Sequence, residues 1–178
     1  MILTDSEILE AIKEKSIIIE PFDPNCLGPN SYDVHLGDTL IIYEDDILDI
    51  KKPNKFKYIK IPESGYILEP GKLYLGATFE YTETHKHVPC LEGKSSLARL
   101  GLNIQMAPLG NVHFCNHWTL EISSLQHIKI YPNIPIGQLL YFNINTDKLN
   151  KGYNTKPNAK YNEKSPLPKE SMMWKNFQ

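Results

Sequence analysis

The sequence predicts a mainly β protein with one short helix at its start, and three observations carry that expectation. Short runs rich in β-branched and aromatic residues recur along the chain: "SIIIEPF", "SYDVHLG", "TLIIYE", "FKYIKI", "YILEP", "KLYLGATFEYTET", "NIQM", "HWTLEIS", "HIKIYP" and "IGQLLYFNIN". Gly, Pro, Asn and Asp punctuate them at close intervals. No long stretch of helical periodicity follows Lys15, so alternating helix–strand units are excluded and a sandwich, jelly roll or small barrel remains.

The elements follow in order. Thr4 stands three residues before Glu7, the spacing of a capping box, and Ile8, Leu9 and Ile12 recur at helical intervals, so a helix opens the chain. The β runs then begin at "SIIIEPF". Between "TLIIYE" and "FKYIKI" the charged excursion "EDDILDIKKPNKFK" is expected to form a surface hairpin. "KLYLGATFEYTET" reads as a single extended run. From Lys148 onward the chain is rich in Lys, Asn and Pro and lacks periodicity, so it cannot bury enough apolar surface to fold alone. Such a tail is either a disordered end or an arm that orders over a ligand or a neighbouring subunit. Tyr153, Tyr161 and Trp174 favour the arm, because aromatic rings are costly to leave in water.

Composition narrows the function. The 178 residues suffice for one domain with a buried core, and 41% hydrophobic with 22% charged residues is ordinary for a globular chain. A net charge of −2 supplies no broad basic field, so nucleic acid is not an expected partner. No run approaches the roughly 18 apolar residues that span a bilayer, so neither is a membrane. Cys26, Cys90 and Cys115 are odd in number and widely spaced, which suits a reducing cytoplasm better than a disulfide framework.

One segment concentrates polar chemistry. "LEGKSSLARLGL" places Lys94, Ser95, Ser96 and Arg99 at a single turn between β runs. Serine hydroxyls and main-chain N–H groups can hold phosphate oxygens, Lys94 adds a compact charge, and Arg99 presents a fork of donors. Alone, the cluster reads first as a solvated corner, with serine as a helix N-cap and Lys94 and Arg99 in water. Glu121 in "TLEIS" is likewise either a solvent-facing strand residue or a half-buried carboxyl whose pKa is lifted toward neutrality for proton transfer.

The order and spacing of "PFDPNCLGPNSYDVHLGD", "LGATFEYTET", "LEGKSSLARLGL", "WTLEISS" and "IGQLLYF" decide between these readings. Together they resemble the dCTP deaminase branch of the trimeric dUTPase-like family, and the tail "GYNTKPNAKY" resembles that branch's C-terminal arm. The resemblance runs from the N-terminus to about Lys164, with "SYDVHLG" and "EGKSSLARLGL" its most specific pieces. It implies a distorted β jelly roll, or β-clip barrel, assembled as a homotrimer with active sites between neighbouring subunits. Residues 1–150 would form the β domain and 151–178 an arm closing over the nucleotide. It further implies deamination of dCTP to dUTP and ammonia without zinc, with Mg²⁺ arriving on the triphosphate. By position, Lys94, Ser95 and Ser96 would meet the triphosphate and the attacking water. Arg99 would stand by the ring, and Glu121 would be the general base. Tyr153, Lys160 and Lys164 would come from the arm.

Some positions depart from the family pattern. Counting back from Glu121, Asn111 falls where the family has the Asp that holds the sugar hydroxyl, and Phe114 falls on its aromatic residue. Asn can bond a hydroxyl but cannot act as a base, which weighs against a second, pyrophosphate-releasing activity. Gln105 stands where many members have His. Two alternatives therefore stay open: a nucleotide-binding or sensing protein without catalysis, and a dUTP pyrophosphatase.

Metal chemistry is the remaining question. The zinc deaminases use H-x-E followed by P-C-x-x-C. Here Pro89–Cys90 has no second cysteine and "HKH" lacks the glutamate, so no catalytic zinc is expected. In "HFCNHWTLE", however, His113, Cys115 and His117 share a face with Thr119 and Glu121 if the run is one regular strand. Histidine and cysteine can bind a metal, although core or interface histidines are commoner.

Overall fold

The computed structural model describes residues 1–104 and 106–178. In chain order its main elements are α1 (Asp5–Lys13), β1 (Ile17–Glu20), β2 (Leu27–Gly28), β3 (Ser31–His35), β4 (Thr39–Tyr43), β5 (Phe56–Lys60), β6 (Tyr66–Leu68), β7 (Tyr74–Ala77) and β8 (Tyr81–Thr84). After these come β9 (His87–Gly93), α2 (Ser95–Ala98), β10 (Leu102–Asn103), β11 (Cys115–Asn116), β12 (Thr119–Ser124), β13 (Ile128–Ile130) and β14 (Pro135–Asn143). The mainly β expectation is met. Helix α1 starts on the expected capping box, with Thr4 accepting from the Glu7 N–H and Glu7 accepting from the Thr4 N–H.

The strands form antiparallel sheets in the orders β1-β8-β11, β10-β12-β7-β4-β5, β13-β6 and β2-β3-β14-β9. They enclose one core, to which Val34, Leu40, Tyr74, Leu91, Leu120, Ile122, Leu139 and Tyr141 contribute. The charged excursion is the turn of the β4–β5 hairpin, as its composition predicts.

Two differences from the sequence reading have clear causes. "KLYLGATFEYTET" is not one strand: β7 pairs with β12, β8 pairs with β1 and β11, and the chain changes sheet between them. Glu80 anchors that change. It is buried, accepts the His35 main-chain N–H at 2.8 Å and faces the His35 ring Nδ1 at 2.6 Å. Strand β9 was hidden in the sequence by Pro89, which argues against a strand interior; β9 is the last strand of its sheet, beside β14, with its outer side bonded to the 108–110 loop, where Pro89 contributes its carbonyl to the Gly110 N–H at 2.8 Å.

Candidate active site

Strand β12 alternates strictly. Leu120, Ile122 and Ser124 are buried, while Thr119, Glu121 and Ser123 lie on the opposite face. Glu121 is thereby turned out of the core, into the lining of a cavity of about 330 Å³ that also includes Phe114, Asn116, Thr119 and Tyr161. Its Oε2 accepts the main-chain N–H of Met106 at 2.9 Å and of Ala107 at 3.2 Å. These bonds fix the carboxylate against the loop that precedes β11.

That loop turns tightly, with the Phe114 N–H on the Asn111 carbonyl at 3.1 Å. The Phe114 ring packs 5.1 Å from that of Trp118 and 5.8 Å from that of Tyr153. Asn111, Phe114, Tyr153 and Lys160 line a second cavity of about 350 Å³ with Tyr161. Four residues assigned from the sequence to nucleotide binding thus share one cavity. Phe114 and Tyr161 belong to both linings, so this cavity adjoins that of Glu121.

The C-terminal segment is tied across this region. The buried Asn116 donates from Nδ2 to the carbonyls of Tyr161 at 3.2 Å and Glu163 at 2.9 Å, and its Oδ1 accepts the Ser165 N–H at 3.0 Å. Tyr153 N–H bonds the Val112 carbonyl at 2.8 Å, and the Tyr153 hydroxyl accepts the Tyr161 N–H at 3.1 Å. Burial pushes the Tyr161 phenol above its ordinary range, and its hydroxyl accepts the Met172 N–H at 3.1 Å. Sequence reasoning missed Asn116 and the site role of Tyr161. The available signal was a polar amide inside an aromatic, β-forming run, because a buried amide must find partners.

The Lys–Ser–Ser turn has the expected form. Lys94 is the residue before α2, in extended conformation, and Ser95 and Ser96 begin the helical turn. Lys94 is paired with the Asp33 carboxylate, so the two most specific sequence motifs meet in space. Arg99 Nη1 donates to Ser95 Oγ at 3.3 Å. Neither Lys94, Ser95, Ser96 nor Arg99 lines the cavity of Glu121 or that of the arm residues. Lys164 also lies apart, with its ammonium 3.4 Å from Glu83 Oε1 and 4.5 Å from the Tyr81 ring centroid. Gln105 lies outside the described residues.

The shared face imagined for His113, Cys115, His117, Thr119 and Glu121 does not form. β11 ends at Asn116, β12 begins at Thr119, and the two belong to different sheets. His113 has a φ of +64°, which breaks any regular strand before β11. The His117 ring Nδ1 meets the Thr78 carbonyl at 2.9 Å.

Comparison with known proteins places this architecture. The fold resembles a crystal structure of 2′-deoxycytidine 5′-triphosphate deaminase from Agrobacterium tumefaciens, with a TM-score of 0.61 at 18% identity; the match covers 79% of this chain but only 47% of that one, about half its length. A family model described as dCTP deaminase-like matches residues 2–144. A Clostridium beijerinckii protein named "dCTP deaminase, dUMP-forming" is 50% identical over 180 residues, covering 100% of this chain and 99% of its own. A Hathewaya histolytica protein of the same name is 48% identical over 179 residues and fully covered on both sides. This chain belongs to the dCTP deaminase-like family.

Proposed function

We propose that this chain deaminates dCTP and carries the nucleotide through to dUMP. The overall conversion consumes two waters: dCTP and water give dUTP and ammonia, then dUTP and water give dUMP and pyrophosphate. The sequence expectation of dUTP as the end product gives way here, because full-length relatives at 48–50% identity are named dUMP-forming. The same names outweigh the argument from Asn111 against pyrophosphate release.

The observation that carries the deaminase reading is the placement of Glu121. An acidic side chain stands on the outward face of a core strand, held by two N–H groups, beside the cavity that gathers Asn111, Phe114, Tyr153 and Lys160. Deamination at C4 requires a proton taken from water, one delivered to N3 and one delivered to the departing amine. A single carboxylate that accepts and returns protons serves all three. Asn111 would bond the deoxyribose hydroxyl, Phe114 would pack against the nucleotide, and the arm would exclude water through Tyr153 and Lys160. Lys164, parked on Glu83, would reach the phosphates only after leaving that pair. Deamination itself is assigned to Glu121 without zinc, in keeping with the lone Pro89–Cys90.

The cradle requires a second copy. Lys94, Ser95, Ser96 and Arg99 do not line the Glu121 cavity of their own chain. A homotrimer, in which the cradle of one chain faces Glu121 of the next, brings triphosphate and base together; Mg²⁺ would enter as the partner of the triphosphate. Incubation with Mg²⁺ and dCTP, resolving nucleotides, ammonia and pyrophosphate, tests the reading. Equal amounts of dUMP, ammonia and pyrophosphate are expected. Accumulation of dUTP would restrict the activity to deamination, and binding without turnover would make the protein a sensor.

A further inference from the structure

A second cluster of reactive side chains lies apart from Glu121, where β8 and β11 pair. Cys115 is the cross-strand partner of Glu83. Thr82 and Thr84 of β8 are buried, so Tyr81 and Glu83 occupy its other face, and His85 continues that face two residues on. One donor atom each from Glu83, His85 and Cys115 falls within 4.8 Å of the others, and all three residues are partly buried. His113 closes the group, with its ring Nδ1 3.3 Å from His85 Nδ1.

We propose that Glu83, His85 and Cys115 form a binding site for a borderline divalent cation of the Zn²⁺ type, with His113 orienting His85. The donor set is nitrogen, thiolate sulfur and carboxylate oxygen, which suits zinc; magnesium and calcium take oxygen alone. The Glu83–His85 spacing is close to what the metal needs, and Cys115 Sγ lies within 4.8 Å of both donors. Zinc bonds of roughly 2.0 Å in a tetrahedron set neighbouring donors about 3.3 Å apart. Glu83 Oε2 and His85 Nε2 stand 2.9 Å apart and have to open by only a few tenths of an ångström. With His85 binding through Nε2, its Nδ1–H is left to donate to His113 Nδ1, the outer contact that usually fixes a ligating imidazole. Three protein donors leave a fourth position for water.

Two features show that this grouping is held by the fold. His113 enters the left-handed region, at φ +64°, where a non-glycine residue is uncommon, and its N–H bonds the Thr84 carbonyl at 2.7 Å. Gly152 of the arm is pressed against the His113 ring so closely that a Cβ there would come within 2.2 Å of Cδ2. Glu83 has its own outer contacts: Oε1 accepts the Tyr81 hydroxyl at 2.6 Å and faces Lys164 at 3.4 Å. A cation on Oε2 would share the carboxylate with Lys164, coupling the site to the start and middle of the arm.

The site does not depend on the deaminase reading, and its test separates the two. The purified full chain, stripped with a chelator, is titrated with Zn²⁺ alone by calorimetry and with Co²⁺ alone by absorption. About one Zn²⁺ per chain is expected, with a thiolate-to-cobalt charge-transfer band. Cys115→Ser should abolish the band and His85→Ala the binding, while Cys90→Ser and Glu121→Gln retain both. His113→Ala should weaken affinity by about 10- to 100-fold. Because Cys115→Ser could fail to fold, thiol alkylation of the wild-type chain is mapped in parallel. Zn²⁺ should protect Cys115 and leave Cys26 and Cys90 unchanged. Absence of Zn²⁺ binding by the folded wild-type chain, a cobalt band that survives Cys115→Ser, or equal alkylation of all three thiols would overturn the proposal.

Discussion

The Asn116 amide oxygen accepts the Ser165 N–H at 3.0 Å across 49 positions of sequence, and the same amide group donates to the carbonyls of Tyr161 and Glu163. One buried side chain therefore replaces three hydrogen bonds that the irregular arm backbone cannot make for itself. This tie positions Tyr161 between the two cavities.

Asn116→Ala should release the arm without unfolding the β core. Each lost bond has a net worth of about 0.5–1.5 kcal/mol. If the arm closes over nucleotide, KM for dCTP should rise by about tenfold or more, with faster proteolysis after Gly152. Steady-state kinetics and limited proteolysis check both outcomes. An unchanged KM with a freed arm would mean that the arm does not act on the substrate.

The separation of the cradle from Glu121 predicts complementation between subunits. Arg99→Ala and Glu121→Gln chains should each be inactive alone. After co-refolding in equal amounts, about a quarter of the shared sites would carry both intact side chains, because each site draws one residue from each neighbour. Recovered deamination would support shared sites; no recovery in a mixed trimer of verified composition would place both residues in one chain's site.

At the N-terminus, the N–H and hydroxyl of Thr4 both donate to Glu7 and hold its carboxyl below the ordinary value of 4.5. A depressed carboxyl contributes stability that is complete above the unfolded value and is lost as pH falls through the lower folded one. Helix α1 should therefore keep its capping box at neutral pH and fray below about pH 4.5, seen as lower amide protection factors at Thr4 and Glu7 once exchange is corrected for its intrinsic pH dependence. Glu7→Gln should remove most of that pH dependence, and an unchanged acid profile in the variant would assign it to other groups.

Much of the fold was legible because local rules agreed: the capping box, the apolar alternation of β12 and the charged hairpin between β4 and β5 each have a short-range signature. What was not legible depends on tertiary partners. Pro89 hid an edge strand because periodicity does not reveal which strands lie at an edge. The run through Thr78 and Glu80 looked continuous because a change of sheet leaves the β pattern intact. Motif resemblance named the candidate site residues one by one, and four of them share a cavity. The resemblance implied sites between neighbouring subunits, but the local spacing does not itself say that the cradle lies outside the Glu121 cavity of its own chain. The grouping of Cys115 with Glu83 and His85 escaped for the same reason: cross-strand register is not written in the local run.

The most direct measurement of the central claim is dCTP turnover by Glu121→Gln, taken together with dCTP affinity. The variant keeps the size of the side chain and loses the proton-accepting carboxylate, so turnover should fall by about 10²–10⁴-fold while dCTP still binds. Wild-type turnover in the variant would contradict the assignment of Glu121 as the base.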